Sequence, residues 1–224
     1  VYRRIGNVES VVATHSINTA AGAGGVRWYE FRLGKDRAPA LYQQGTFAPD
    51  ATYRWLPSPA IDKFGNIGIG YSAGSATQFP EQRFAGRRRS DPLGVLTLRE
   101  ATMVRGEGSQ TNTLRWEDYS QTAVDPVDDC TFWYTNEYLP ANGSFNWATR
   151  IGNFKFDACG TPGFTLSPNP QAASVCAGDP AAFAINVGSI SGFDSPVTLS
   201  ASGNPPPTTA GFAPNPVPSL PGSS

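Results

Sequence analysis

Histidine is nearly absent from this chain: His15 stands alone among 224 residues. No motif places a serine or cysteine beside it, so a nucleophilic triad has no support. The three cysteines include no Cys-x-x-Cys pair, which with a single histidine argues against a zinc site. Net charge is also missing: 17 basic residues face 18 acidic ones, so no global field points to nucleic acid or to an anionic membrane. The single basic run, Arg87-Arg88-Arg89, is too short for the many phosphate contacts of nucleic-acid binding and reads as a solvated loop. No apolar stretch approaches the ~20 residues that span a bilayer. No segment sustains apolar residues at i, i+3, i+4 and i+7, which removes the amphipathic helix. The polar loop Gly106-Glu107-Gly108-Ser109-Gln110-Thr111-Asn112 lacks the lysine and the strand-to-helix setting of a phosphate cradle.

What is present is turn and strand chemistry. The 24 glycines, 20 prolines and 12% aromatic residues make an all-β composition, and 39% hydrophobic residues are enough for a core. One pattern recurs three times. Its clearest copy, residues 114–156, runs Leu114-Arg115-Trp116-Glu117-Asp118-Tyr119, Thr122-Ala123-Val124, an Asp125-Pro126-Val127-Asp128-Asp129 turn, Cys130-Thr131-Phe132-Trp133-Tyr134-Thr135, and Trp147-Ala148-Thr149-Arg150-Ile151. The second copy has Tyr53-Arg54-Trp55, Pro59-Ala60-Ile61, the turn Asp62-Lys63-Phe64-Gly65-Asn66, the strand Ile67-Gly68-Ile69-Gly70-Tyr71-Ser72, and Arg83-Phe84. A more degenerate first copy has Val11-Val12-Ala13-Thr14-His15-Ser16 and Val26-Arg27-Trp28-Tyr29-Glu30-Phe31. Asp62 to Ser72 and Asp125 to Thr135 are both ten residues apart, Ser16 to Arg27 and Ser72 to Arg83 are both eleven, and Thr135 to Arg150 is fifteen across a longer loop. Long repeats of short strands predict stacked β units, because one unit cannot bury its apolar faces alone. The expected fold is all-β: a partial β-propeller of about three four-stranded antiparallel blades, at residues 1–45, 46–100 and 101–159, with long connections at residues 34–52 and 88–113. In the strand expected at residues 67–72, Ile67, Ile69 and Tyr71 share one face and Gly68 and Gly70 the other, which lets a neighbouring sheet approach closely.

Composition changes near residues 158–162. From residue 160 onward there is no lysine or arginine, the acids are Asp179 and Asp194, and 12 of the 20 prolines occur. Strands are expected at residues 164–166, 181–187 and 196–201. Residues 163–224 thus read as a small Ig-like β-sandwich with its last strands missing and an extended Pro-rich tail from residue 215. Three cysteines in a lysine-poor chain suggest secretion or a cell-surface location. A Cys130–Cys159 bridge would staple the last blade, and Cys159–Cys176 would tie that blade to the Pro-rich region.

Asp62 and Asp125, at matched turn positions, read as Asx-turn formers. Arg27, Arg83 and Arg150 are matched too: facing inward, they would ring a pocket for a carboxylate or sulfate. Otherwise they lie across aromatics or pair with acids. Glu117, Asp118 and Glu30 are the carboxylates available for glycosidic acid–base work, which needs two carboxyl groups roughly 5–10 Å apart. Asp125, Asp128 and Asp129 could offer oxygens to calcium, the only cofactor in view, although the turn is shorter than an EF-hand loop and plain exposed aspartates are the simpler reading.

The segments Arg27-Trp28-Tyr29-Glu30, Tyr53-Arg54-Trp55, Ala60-Ile61-Asp62-Lys63-Phe64-Gly65-Asn66-Ile67, Arg115-Trp116-Glu117-Asp118-Tyr119-Ser120 and Asp125-Pro126-Val127-Asp128-Asp129-Cys130 together resemble a family of large secreted bacterial proteins. In that family a propeller-like repeat region, some of it loosely sialidase-like, precedes Ig-like modules. The resemblance implies secretion and β architecture. The Ser-x-Asp-x-Gly-x-Thr-Trp box of sialidase blades is absent. The expectation is therefore a non-catalytic extracellular module contacting carbohydrate or protein, with a sialidase-like hydrolase fragment and a subunit self-assembling through open strand edges as alternatives.

Overall fold

The computed structural model describes every residue except 21, 118, 158, 161, 162, 191, 192, 194, 219–221 and 224. Among the described residues there is no helix, and the chain divides into two compact units, Val1–Cys159 and Gly160–Ser224.

The first unit holds three antiparallel sheets, each connected in simple chain order. The first is β1 (Tyr2–Ile5), β2 (Val8–Asn18), β3 (Gly24–Leu33) and β4 (Pro39–Phe47); the second is β5 (Tyr53–Ile61), β6 (Ile67–Ser75), β7 (Gln78–Arg87) and β8 (Leu98–Val104). The third has three strands, β9 (Gln121–Val124), β10 (Phe132–Tyr138) and β11 (Ala148–Phe154). The long connections expected at residues 34–52 and 88–113 thus contain the fourth strands β4 and β8. The prolines at residues 57 and 59 fall in β5, an edge strand, where a missing N–H leaves no ladder bond unmade.

The second sheet is the middle layer, and every residue from Ile67 to Gly74 is buried. Alternation assigns its two faces. Ile67, Ile69, Tyr71 and Ala73 pack with Val12, Val26 and Trp28 of the first sheet. Ala60 and Phe84 of the same sheet meet Phe132, Tyr134 and Phe154 of the third. Full burial of each such side chain stabilises by roughly 1.5–3 kcal/mol. Gly68 and Gly70 occupy the face towards the third sheet: a Cβ at Gly68 would lie 2.8 Å from the Phe132 and Phe154 rings, and one at Gly70 would collide with Tyr134. The side chains of β10 fill the space that these glycines leave.

Buried arginines inside the stack are paired. Arg54, fully buried, donates to both Glu100 oxygens at 2.7 and 2.9 Å, and Tyr71 and Arg83 reach the same carboxylate. Arg87 is 1% exposed rather than solvated: it donates to Gln43 and to the Asp91 carbonyl and lies over Trp28. A strand-end arginine with an aromatic partner can be core when backbone carbonyls complete its bonds. Arg88 does face solvent, paired with Asp157 at 2.8 Å.

Two expectations fail in the third sheet, for local reasons. Among the described residues of the segment 114–119 there is no strand. Asn112 and Glu117 have φ of 59° and 42°, and the Trp116 and Glu117 side chains both reach Ser72 Oγ, which the alternation of a strand forbids. Among the described residues the third sheet therefore has three strands. The ten-residue equality also does not survive as register. Ile61 pairs with Ile67 across residues 62–66, but Val124 pairs with Phe132 across residues 125–131, because Asp128 caps the amides of Cys130 and Thr131 and lengthens the turn. The expected Cys130–Cys159 bridge, by contrast, is present. β11 ends at Phe154, a turn closed by Cys159 N–H on the Phe156 carbonyl comes next, and the two cysteines form a disulfide with Cα atoms 5.3 Å apart.

In the second unit, β12 (Gly163–Asn169), β13 (Ala184–Ile190) and β14 (Gly222–Ser223) form one antiparallel sheet. Val187, Val197, Leu199 and Val217 make its core. Residues 196–201 are not a strand but contribute one bridge, Val197 to Val217. The Pro-rich tail is no free linker either: Asn215 clamps both backbone groups of Leu199 at 2.9 Å, and Val217 is buried. Cys176 is exposed and unbridged.

Candidate functional site

Beside the third sheet, two loops and the face of β10 enclose a cleft of about 450 Å³. The loops are tied together. Thr111 N–H donates to the Gly143 carbonyl at 2.9 Å, Gly143 N–H to the Ser109 carbonyl at 3.1 Å, and Glu107 N–H to the Leu139 carbonyl at 2.8 Å. One loop brings Trp116 and Tyr119 and the other Phe145 and Trp147, all lining the cleft. Tyr119, Phe145 and Trp147 are 94%, 72% and 54% exposed, an unusual concentration of aromatic surface. Gln110, Asn136 and Glu137 add hydrogen-bonding groups.

The cleft floor is a network centred on Ser72 of β6. Its hydroxyl donates to Glu117 Oε1 and accepts from Asn136 Nδ2 at 2.9 Å and Trp116 Nε1 at 3.2 Å. The Trp116 indole N–H is shared with Glu117 Oε1, also at 3.2 Å, and its ring meets Trp55 edge-on with centroids 5.6 Å apart. The indole is therefore held from two sides. Asn136 also donates to the Tyr134 hydroxyl, which burial and the nearby Glu117 charge push above its ordinary pKa. Glu117 Oε2 is buried and has no hydrogen-bond partner among the described residues. Burial raises the Glu117 carboxyl above the usual range, and the bonds from Ser72, Asn136 and Trp116 only partly offset that.

The other residues singled out by sequence lie elsewhere. Asp118 falls outside the described residues. Glu30 is buried in the first sheet, accepting from Ser10 at 2.8 Å and from Gln43, with Arg32 at 3.4 Å. None of these partners touches Glu117. The three arginines occupy β3, β7 and β11 but share no partner. Arg27 donates to Thr46 and Gln44 beside Tyr29, Arg83 binds Glu81 and Glu100, and Arg150 lies over Tyr138.

Asp125 accepts from Val127 N–H and Trp133 Nε1, each at 2.8 Å, Asp128 caps Thr131, and Asp129 pairs with Arg3. These are turn and latch contacts. Among the described residues the one convergence of three metal-ligating groups is Asp128 with Cys130 and Cys159, whose sulfurs are bonded to each other. Sequence reasoning passed over Ser72, Asn136, Glu137, Phe145 and the platform role of Trp116. The Phe145-Asn146-Trp147 triplet in a polar loop was the available signal, since large aromatics in a loop have no core to enter.

No family model, curated protein or solved structure matches the chain.

Proposed function

We propose that the first unit is a propeller-type stack serving as a secreted or cell-surface binding module, and that it takes carbohydrate in the cleft beside Trp116. The observation carrying this reading is the combination of exposed aromatic surface with fixed hydrogen-bonding groups in one cleft. Sugar rings present apolar C–H faces and polar rims, so they match aromatic platforms flanked by amide and carboxylate groups. The Trp116 ring, fixed by Ser72, Glu117 and Trp55, is ordered before ligand arrives, which lowers the entropic cost of binding. The secreted setting rests on the disulfide. The second unit, which resembles an Ig-like module, serves as spacer.

A second reading, hydrolysis, draws on one observation: Glu117 has the raised carboxyl of a general acid, and Glu137 lines the same cleft. Isothermal calorimetry against a panel of neutral, acidic and amino oligosaccharides tests the first reading, with product analysis on the same mixtures testing the second. Trp116→Ala and Trp147→Ala are expected to weaken binding tenfold or more, about 1.4 kcal/mol, while Trp133→Phe leaves it unchanged. Absence of binding to every sugar class would overturn the carbohydrate reading. Turnover abolished by Glu117→Gln would replace binding by catalysis.

A further inference from the structure

Resting on the carbohydrate reading above, we infer that the cleft selects a glycan bearing free amino groups, whose ammonium is held between the Glu117 carboxylate and the aromatic rings beside it. The first ground is how this fold treats its buried and half-buried carboxylates. Glu30, Glu81 and Glu100 each have an arginine within ion-pair distance, and buried Asp62 has N–H donors on both oxygens. Glu117 departs from that rule. It has neutral donors on Oε1, none on Oε2, and no cationic partner among the described residues. A buried carboxylate without a countercharge is costly, and an incoming ammonium supplies one.

The second ground is the surroundings. The faces of tryptophan, tyrosine and phenylalanine rings carry negative potential and attract ammonium groups within about 6 Å, and Trp116, Tyr119, Phe145 and Trp147 line this cleft. Among the described residues its charged lining is the carboxylates Glu117 and Glu137 and the exposed Arg115. An acidic sugar would meet like charge at the floor. A neutral sugar could stack but would leave Glu117 as it is.

The third ground is the backbone. Glu117 holds φ at 42°, a left-handed conformation that costs a residue with a Cβ about 1–3 kcal/mol and persists mainly at functional positions. This conformation turns the carboxyl to the same side as the Trp116 indole. Asparagine or glycine would relieve the strain, but neither would reach Ser72 with a charged group.

The test compares a glucosamine oligomer, its fully N-acetylated counterpart and a glucose oligomer of equal length, by calorimetry on the full chain near pH 6. The amino oligomer is expected to bind at least tenfold more tightly. Added salt should narrow the difference, and Glu117→Gln, which retains the acceptor for Ser72, should erase it. Unchanged tryptophan emission and melting temperature establish that this variant is folded. Equal affinity for the three oligomers, or a preference that survives Glu117→Gln, overturns the inference and leaves carbohydrate binding standing. Binding to none of them, while acidic or other neutral sugars bind, overturns it as well. Binding to no sugar at all removes the underlying reading together with this one.

Discussion

Replacing Glu100 by alanine removes the acceptor that Arg54, Arg83 and Tyr71 share. Arg54 has no exposed surface and would lose its bonds at 2.7 and 2.9 Å, retaining the Thr52 carbonyl at 2.8 Å and Asp50, which is itself 54% exposed. Tyr71, also fully buried, would lose its 2.7 Å acceptor, whereas Arg83 would keep Glu81. Breaking a buried pair from one side costs about 3–5 kcal/mol because the remaining charge is left uncompensated. That is a large part of the roughly 5–15 kcal/mol by which domains are typically stable. Urea titration followed by tryptophan emission is the suitable assay, since all five tryptophans lie in the first unit and the signal reports it alone. The midpoint should fall with the slope unchanged. Arg54→Met combined with Glu100→Leu should cost less than Glu100→Ala alone, because no charge is then stranded. A loss below about 1 kcal/mol for Glu100→Ala would refute the claim that this network is a structural element of the middle sheet. Burial works against ionisation of Glu100, but Arg54 and Tyr71 outweigh it and hold the carboxyl below its usual range. Its contribution is therefore present at neutral pH and is lost as pH falls through that lowered value.

Replacing Cys130 and Cys159 together by alanine opens a loop of 29 residues, and chain entropy predicts a loss of roughly 3–4 kcal/mol; a change under about 1 kcal/mol in urea would count against the staple. Gly70→Ala forces a methyl group into the fully buried Tyr134 ring, so a destabilisation of about 1–3 kcal/mol is expected, and a neutral effect in thermal melts would contradict the close sheet approach. Burial pushes the Asp62 carboxyl up from 3.8 to about 6 against the bonds it accepts from Asn66 and Phe64. The folded chain therefore binds that proton more tightly than the unfolded one, its contribution is full below the unfolded value, and stability falls by up to about 3 kcal/mol as pH rises through that window. Asp62→Asn should flatten this part of the pH–stability curve; a wild-type curve that instead rises there would reverse the assignment.

The all-β class was legible because it depends on composition and alternation, which tertiary context rarely overrides over so many turns. Gly68 and Gly70 were informative for the same reason: alternation placed them on one face, and the only use of a bare face in a buried strand is close packing. Register was less legible. The ten-residue spacing counts residues without regard to how Asp128 caps two amides and lengthens its turn, while Asp62 closes a shorter one. Arg87 escapes a sequence reading because a run of three arginines looks uniformly solvated, yet its members differ in whether carbonyls and a tryptophan face lie within reach. In the second unit, proline content suggests a free tail, but a single asparagine with both amide atoms matched to Leu199 is enough to anchor it.

Glu117 is conspicuous in the sequence by its charge but not by its setting, and the reason for both lies in the repeat. Residues 114–119 carry the aromatic and polar alternation of an opening strand, so the pattern predicts a ladder, with Glu117 a candidate carboxylate whose partner the sequence does not place. The structure withdraws the segment from the ladder at Glu117, where the left-handed backbone lets consecutive side chains turn to one hydroxyl. The segment becomes the wall of the cleft instead. Under the proposed binding role, the left-handed backbone and the unmatched buried oxygen together set Glu117 apart from the turn-forming aspartates. Asp62 and Asp125, which obey their turn rules, stay structural. By the same reasoning Glu117→Gly should relax the backbone and raise stability while abolishing the floor network, and a variant that lost both stability and binding would place Glu117 with the structural carboxylates instead.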